Sequence, residues 1–216
     1  MLRKNLEAVF SQTYRPLQCV VSDHSKDDVI ENMVKTLDCR GVDFIYVRYA
    51  ENYGNPCRNW NNALAHATGD TIQYAAMDER PAHPTAIADA MEFMNKTGAQ
   101  WIACGHVDEP GDGTPFVPSW NPYILEGNNT VSGPAAVIIR STLKNVQLDP
   151  TFSWLLDVDW YYRLYVVAGP PTIFPNVTYI NKIGDHQLTH TVNLKPQRDI
   201  EHALIRRKYG ATLPTS

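Results

Sequence analysis

Strand-like and helix-like stretches alternate through the first hundred residues, and no other feature constrains the fold as much. Leu2, Leu6, Val9 and Phe10 share one face of an amphipathic helix. The short apolar run QCVVSDH, which reaches Asp23, reads as a buried strand. Behind it Ser25 can cap a helix in which Val29, Ile30, Met33, Val34 and Leu37 recur at helical spacing. Residues 44–51, FIYVRYAE, have the β-branched and aromatic content of a strand. A helix follows over 56–68, with Trp60, Ala63, Leu64 and Ala67 on one face and Gly69 as its stop. TIQYAAMD, 71–78, reads as a third strand ending at Asp78. Helix resumes after Pro84 through Ile87, Met91 and Met94, and WIACGHVDE, 101–109, is a fourth strand. Strands joined by helices run parallel with right-handed crossovers. The expectation is therefore an α/β chain: an open, mostly parallel sheet flanked by helices, an α/β/α sandwich.

Beyond residue 109 the pattern loosens. Residues 110–133 are rich in Gly, Pro and Asn and read as a long surface loop, a type that is usually functional or disordered. PAAVIIR is a strand, WYYRLYVVA (160–168) a helix, and TIFPNVTYI a strand; a polar helix covers 199–208. With 216 residues, 44% of them apolar, the chain suits a single domain over 1–216 with a real core. A formal charge of −4 argues against nucleic acid or anionic lipid as an electrostatic partner. The basic cluster Arg206, Arg207, Lys208 reads as a solvated helix face. Cys19, Cys39, Cys57 and Cys104 lack C-x-x-C spacing and fit reduced thiols. No apolar stretch is long enough to span a bilayer, and the first residues read as an amphipathic helix rather than a signal peptide. A cytoplasmic location is the expectation.

In open parallel sheets ligands bind beyond the carboxyl ends of the strands. Two expected strands end in Asp23 and Asp78, and a third in Glu51-Asn52. Acidic groups gathered at one rim repel one another unless a cation or ligand hydroxyls compensate them. Such a cleft suits a polyol, a divalent metal or both. The alternative for each carboxylate taken singly is a cap on the next helix or turn.

Three blocks carry a family resemblance. SQTYRPLQCVVSDHSKDD is similar to the opening of the family 2 glycosyltransferases, where a helix end leads through a strand into a D-x-S-x-D loop. ENYGNPCRNWNNALAHATGDTIQYAAMDERPAHP resembles the next block: an E-N-x-G turn, an N-W-N-x-A-L helix, A-x-G-D, and a strand running into the D-x-D region. LDPTFSWLLDVDWYYRLYVVAG resembles the third, an acidic pair followed by a helix with R-L-x-x-x-G. The resemblance spans roughly residues 5 to 190, in the family's order. It implies a GT-A-like fold, with a nucleotide-binding part near 1–100, an acceptor part near 101–195 and a terminal helix near 197–210.

The same resemblance implies roles. Asp23 matches the aspartate that hydrogen-bonds the nucleotide base, usually uracil, and Arg58 and Asn59 lie near positions facing the nucleotide. Asp78 matches the last aspartate of D-x-D, which holds Mn²⁺ or Mg²⁺ against the diphosphate; oxygen ligands suit such cations. Asp157 matches the base that deprotonates an acceptor hydroxyl in inverting transfer. Asp159 is a helix cap, an acceptor contact or the base itself. Trp160, with Tyr161, stacks on an acceptor sugar or packs in the core. His186 stands where the family often carries a late histidine reaching the metal or diphosphate, with His190 as its competitor. Three departures stand out. The family's first strand and P-x-Y-N loop have no counterpart, D-x-D reads Ala76-Met77-Asp78 with Glu79 following, and the acidic pair reads Leu156-Asp157. The implied activity is metal-assisted transfer from a nucleotide-diphospho-sugar, UDP-type favoured, to a hydroxyl. The rival reading is a degenerate, non-catalytic member that binds a glycan or a partner protein.

Overall fold

A computed structural model describes residues 1–49, 54–126, 128–185 and 194–210. The chain enters on helix α1 (Leu2–Phe10), which turns Leu6 and Phe10 inward as their spacing requires. Strand β1 (Gln18–Asp23), helix α2 (Val29–Val34) and strand β2 (Asp43–Arg48) follow. β1 and β2 pair in parallel, from Gln18 opposite Asp43 to Asp23 opposite Arg48. Leu6, Phe10, Val34 and Val42 form the small core beneath them.

Helix α3 (Pro56–His66) starts as its sequence demands. Asn55 is the N-cap, its Oδ1 accepting the Arg58 N–H at 3.0 Å, and proline takes the first turn. Strands β3 (Thr71–Gln73) and β4 (Glu79–Pro81) lead to helix α4 (Ala86–Thr97), which closes on Gly98 at φ 67°. Strand β5 (Trp101–Glu109), strand β6 (Val137–Arg140), helix α5 (Leu156–Ala168), strand β7 (Thr172–Lys182) and helix α6 (Leu194–Tyr209) complete the order.

Five strands form the larger sheet, in the order β3-β6-β5-β7-β4. Trp101, Ala103, Val137 and Ile139 of this sheet join Trp160, Tyr161 and Leu164 of α5 in the main core. Ile102, Cys104, Ile138 and Phe174 look the other way, onto Ala90, Met91 and Met94 of α4. Burial on both faces is what a central sheet between helices requires. Gly105 sits where the pairing of β5 with β7 slips. A Cβ there would lie 2.5 Å from the Pro175 carbonyl oxygen, so only glycine lets the two backbones approach.

The α/β class and the flanking helices agree with expectation, while the strand directions are more mixed. β1–β2 and β5–β7 are parallel, but β3–β6, β5–β6 and β4–β7 are antiparallel. Between β5 and β6 the chain returns through the loop rather than a crossover helix, which permits antiparallel pairing. That loop is anchored, with Ile124, Leu125 and Val131 buried. β1 is only half-buried short of Asp23, because among the described residues it pairs on the β2 side alone. The third expected strand stops at Gln73, and the chain turns at 76–79, where the Glu79 N–H donates to the Ala76 carbonyl at 3.2 Å. α5 begins four residues earlier than expected, so its first turn contains both Asp157 and Asp159. No helix among the described residues is long and apolar enough to cross a membrane.

Candidate functional site

Asp23 closes β1 and is enclosed by donors. Its Oδ1 accepts the Ser25 N–H at 2.8 Å, its Oδ2 accepts the Tyr46 hydroxyl at 2.7 Å, and the Arg48 guanidinium stands 3.8 Å away. Burial pushes its pKa up, but the bonds from Ser25 and Tyr46 and the charge of Arg48 outweigh it and hold the group below the usual carboxylate range. Asp23 is therefore an anion with lone pairs to spare for a further N–H donor.

Helix α3 ties this corner to the rest of the molecule through four asparagines. Asn59 accepts from the Ser22 hydroxyl at 2.7 Å and donates to the Ser22 carbonyl at 2.9 Å, while Asn62 donates to that hydroxyl at 2.9 Å. On the side facing α5, Asn61 exchanges two bonds with the Leu148 backbone, and Asn55 donates to the Pro150 carbonyl at 3.1 Å. The N-W-N-N stretch thus fixes the residue before Asp23 against the segment that leads into Asp157. Asn59 is a positioning group at this corner, and Arg58 lies on the exposed face of the same helix.

Asp78 and Glu79 occupy the turn between β3 and β4, each about nine-tenths buried. Glu79 Oε2 accepts the Ala76 N–H at 2.6 Å, and its Oε1 faces Gly133, where an added Cβ would stand 3.3 Å away. Burial, with Asp78 adding repulsion against the Ala76 bond, pushes the Glu79 pKa up to about 7.

Asp157 lies in the first turn of α5, partly buried. Oδ1 accepts the Val158 N–H at 2.8 Å and Oδ2 accepts Asn129 Nδ2 at 2.6 Å. Burial, reinforced by the Glu201 charge, pushes its pKa up to about 7 despite the bonds from Val158 and Asn129. Asn129 also builds the turn beside it: Oδ1 accepts from the Val131 and Ser132 N–H groups, and Nδ2 donates to the Ser132 carbonyl at 2.9 Å. Ser132 is held at φ 86°, a conformation a non-glycine residue keeps only when its surroundings enforce it. Its carbonyl accepts the Tyr161 hydroxyl at 2.9 Å, and its own hydroxyl meets that of Tyr179 at 3.1 Å. The 129–133 turn therefore joins Asp157 at one end to Glu79 at the other. Tyr161, whose pKa is raised by burial and by Asp157, Tyr179 and Glu79, lies between them. Next to Tyr179 stacks His106, buried and with its pKa lowered by desolvation against the pull of Asp108 3.4 Å away.

Two expected acceptor contacts are corrected. Asp159 has 0% exposure; Oδ2 takes Arg163 at 2.7 Å and Oδ1 takes Lys208 at 2.7 Å with the Tyr209 hydroxyl. Two residues apart on a helix is a turn of about 200°, so Asp159 faces away from Asp157 and pins α6 to α5. Trp160 is 1% exposed, donates its indole N–H to the Val146 carbonyl at 2.7 Å and packs on Tyr74, leaving no ring face for a sugar. His186 and His190 lie outside the described residues, as does the Glu51-Asn52 pair. Asn129, Ser132, Tyr179 and Glu201 carry no motif that would single them out beforehand, although Asn129 and Ser132 both stand in the loop whose length marked it.

A divalent cation can be tested against these groups. Among the described residues no three His, Cys, Asp or Glu side chains gather as a ready cage. Hard cations of the Mg²⁺ type need only one or two carboxylates when substrate phosphates supply the remaining oxygens. Asp78, nine-tenths buried in the 76–79 turn, would be the carboxylate this turn offers to such a cation.

The chain matches the family model described as "Glycosyl transferase family 2" over residues 1–162. No curated protein matches it. Among solved structures it is similar to S. aureus TarS 1-349 in complex with UDP-GlcNAc, with a TM-score of 0.73 and 18% identity over 94% of this chain and 61% of that one. The UDP complex of the same TarS fragment gives 0.66 and 16%, over 85% and 58%. Against S. aureus TarS itself the values are 0.66 and 16%, over 85% of this chain but 34% of that one. The chain thus spans about a third of TarS and under two thirds of its 1-349 fragment. Three quarters of the sequence under one family model and a shared architecture lead to one placement: the chain has the GT-A fold and belongs to glycosyl transferase family 2.

Proposed function

We propose that this chain transfers a sugar, with inversion, from a nucleotide-diphospho-sugar to an acceptor hydroxyl, with Asp157 as the base. One observation carries the reading: Asp157 is a half-buried carboxyl at a helix N-terminus, oriented by Asn129 and Val158, with its pKa pushed up to about 7. A base works best when its pKa lies near the operating pH. In the reaction, Asp157 takes the acceptor O–H proton and the acceptor oxygen forms its bond to the anomeric carbon. The bond from that carbon to the phosphate oxygen breaks, and the electron pair leaves on the nucleoside diphosphate. Mn²⁺ or Mg²⁺, held by Asp78 together with the diphosphate oxygens, would supply Lewis-acid stabilisation to that leaving group. Asp23 accepts a base N–H, Asn59 holds the Asp23 strand end, and Arg58 stands at the nucleotide side. Because the similar TarS fragment was solved with UDP-GlcNAc, a UDP-sugar is the first donor to test.

The test is thermal. UDP with Mn²⁺ raises the Tm, Asp78→Ala abolishes the rise, and UDP-GlcNAc loses UDP in the wild type but not in Asp157→Asn. Absence of any shift across a panel of nucleotides sinks the reading. One observation favours a non-catalytic glycan- or partner-binding protein instead: Glu79, which follows the incomplete Ala76-Met77-Asp78, is buried and commits its Oε2 to the Ala76 N–H of its own turn. Glycan binding without UDP release distinguishes the two.

A further inference from the structure

Helix α5 has an unusual start. Its N-cap is Leu155, which offers no side-chain cap, and the 153–155 turn that leads into it presents three successive backbone N–H groups to one acceptor. That acceptor is Glu201 of α6, a carboxylate with 0% exposure from a helix beyond the matched family region. Oε1 accepts the Ser153 N–H at 2.9 Å, the Ser153 hydroxyl at 2.7 Å and Gln197 Nε2 at 2.6 Å. Oε2 accepts the Trp154 N–H at 2.9 Å and the Leu155 N–H at 2.7 Å. Two carboxylates thus divide the donors at this helix end: Glu201 takes those of 153–155, and Asp157 takes only that of Val158.

We propose that Glu201 is a positioning residue for Asp157, anchoring from α6 the 153–155 turn that delivers the first turn of α5, so that the Asp157 carboxyl stays turned toward Asn129. The proposal rests on the reading of Asp157 as the base. Without Glu201, the N–H groups of 153–155 lose their shared acceptor, the turn loosens, and the first turn of α5 no longer holds the Asp157 carboxyl against Asn129.

The charge of Glu201 acts in the same place, since it raises the Asp157 pKa. Asp157 is otherwise faced by Asn129 from the loop, by Tyr161 from its own helix and, across Tyr161, by Glu79 and Tyr179. Around Glu201 stand Gln197 on α6, Arg198 and His202 against Trp154, and the Asp149, Asp159, Arg163 and Lys208 cluster on the Cys57 side. None of these other groups joins the 153–155 N–H row to the charge beside Asp157.

The test uses the whole chain and UDP release from UDP-GlcNAc with Mn²⁺, water serving as acceptor. Glu201→Gln lowers kcat about 10- to 100-fold with KM for the donor within about twofold, the scale of a misplaced catalytic group. It also moves the acid limb of the kcat profile to lower pH. Glu201→Asp keeps the charge but withdraws the oxygens, so kcat falls while the limb stays. An unchanged kcat in Glu201→Gln, or a loss with the acid limb unmoved, overturns the proposal. Undiminished turnover in Asp157→Asn overturns the base assignment instead, whatever Glu201→Gln does. The carboxyl carbon-13 titration of Asp157 gives a readout that needs no turnover: its midpoint falls by about 0.5 to 1 pH unit in Glu201→Gln, and an unmoved midpoint overturns the proposal. Should Glu201→Gln not fold, Ser153→Ala removes a single donor. It lowers kcat a few-fold at constant Tm, and full activity there overturns the proposal as well.

Discussion

Removing the amide that orients Asp157 gives the sharpest test of the site. Asn129 Nδ2 donates to Asp157 Oδ2 at 2.6 Å, and this bond favours the ionised form. A hydrogen bond to a charged group contributes about 1.5–3 kcal/mol, and one pKa unit corresponds to about 1.36 kcal/mol. In Asn129→Ala water restores part of the loss, so the Asp157 pKa rises by about 1 unit, from about 7 to about 8. At pH 7 the ionised fraction falls from about one half to about one tenth, a loss of about fivefold in turnover; near pH 9 the variant approaches the wild type. Loosening of the 129–132 turn lowers the rate at every pH alike, so the two effects separate in the profile. The assay is UDP release from UDP-GlcNAc between pH 5.5 and 9.5, read as the midpoint of the acid limb. A midpoint that stays in place or moves down refutes the assignment of this limb to Asp157.

Stability should respond to pH through Glu79. Its folded pKa, about 7, lies above its ordinary value, so the folded state holds a proton that the unfolded state gives up. Glu79 therefore costs stability as pH rises from about 4 toward 7, at most about 3 kcal/mol. Glu79→Gln removes that cost, and its Tm declines less than the wild type's across this window; equal slopes would count against it. Breaking the buried cluster of Asp159 with Arg163 and Lys208 has a different signature. Asp159→Ala leaves Arg163 without its carboxylate and Lys208 with Asp149 alone, and loses about 3 kcal/mol in urea unfolding, whereas a loss below about 1 kcal/mol would show an exposed pair instead.

Where local chemistry decides, the sequence was readable. β5 runs from Trp101 to Glu109 as its composition indicates, and α3 begins at Pro56 behind the Asn55 cap. Asp78 was harder: TIQYAAMD reads as one strand, but the Glu79 side chain reaches back to the Ala76 N–H and folds the second half into a turn. Starting α5 at Trp160 left both Asp157 and Asp159 in a loop, where nothing separates their roles. Placed on one helix, their spacing alone turns them to opposite faces, and Trp160 goes to the core with Asp159. Strand direction in the larger sheet depends on where the 110–136 connection delivers β6, and a loop rich in Gly and Pro holds no such code. Glu201 is one more acid on a polar helix until its partners at 153–155 are known.

The cluster that fastens α6 to α5 also orders events on the ribosome. Synthesis is vectorial and earlier segments begin to fold first, yet Asp159 needs Lys208 and Tyr209 from the last described helix to neutralise it. Until α6 emerges, α5 carries an acid bound only by Arg163 of its own helix, and the Trp160 and Tyr161 rings have an unfinished neighbourhood to settle into. Closure of the main core thus waits for the distal helix, and from the emergence of α5 until that of α6 the greasy face stays available to chaperones.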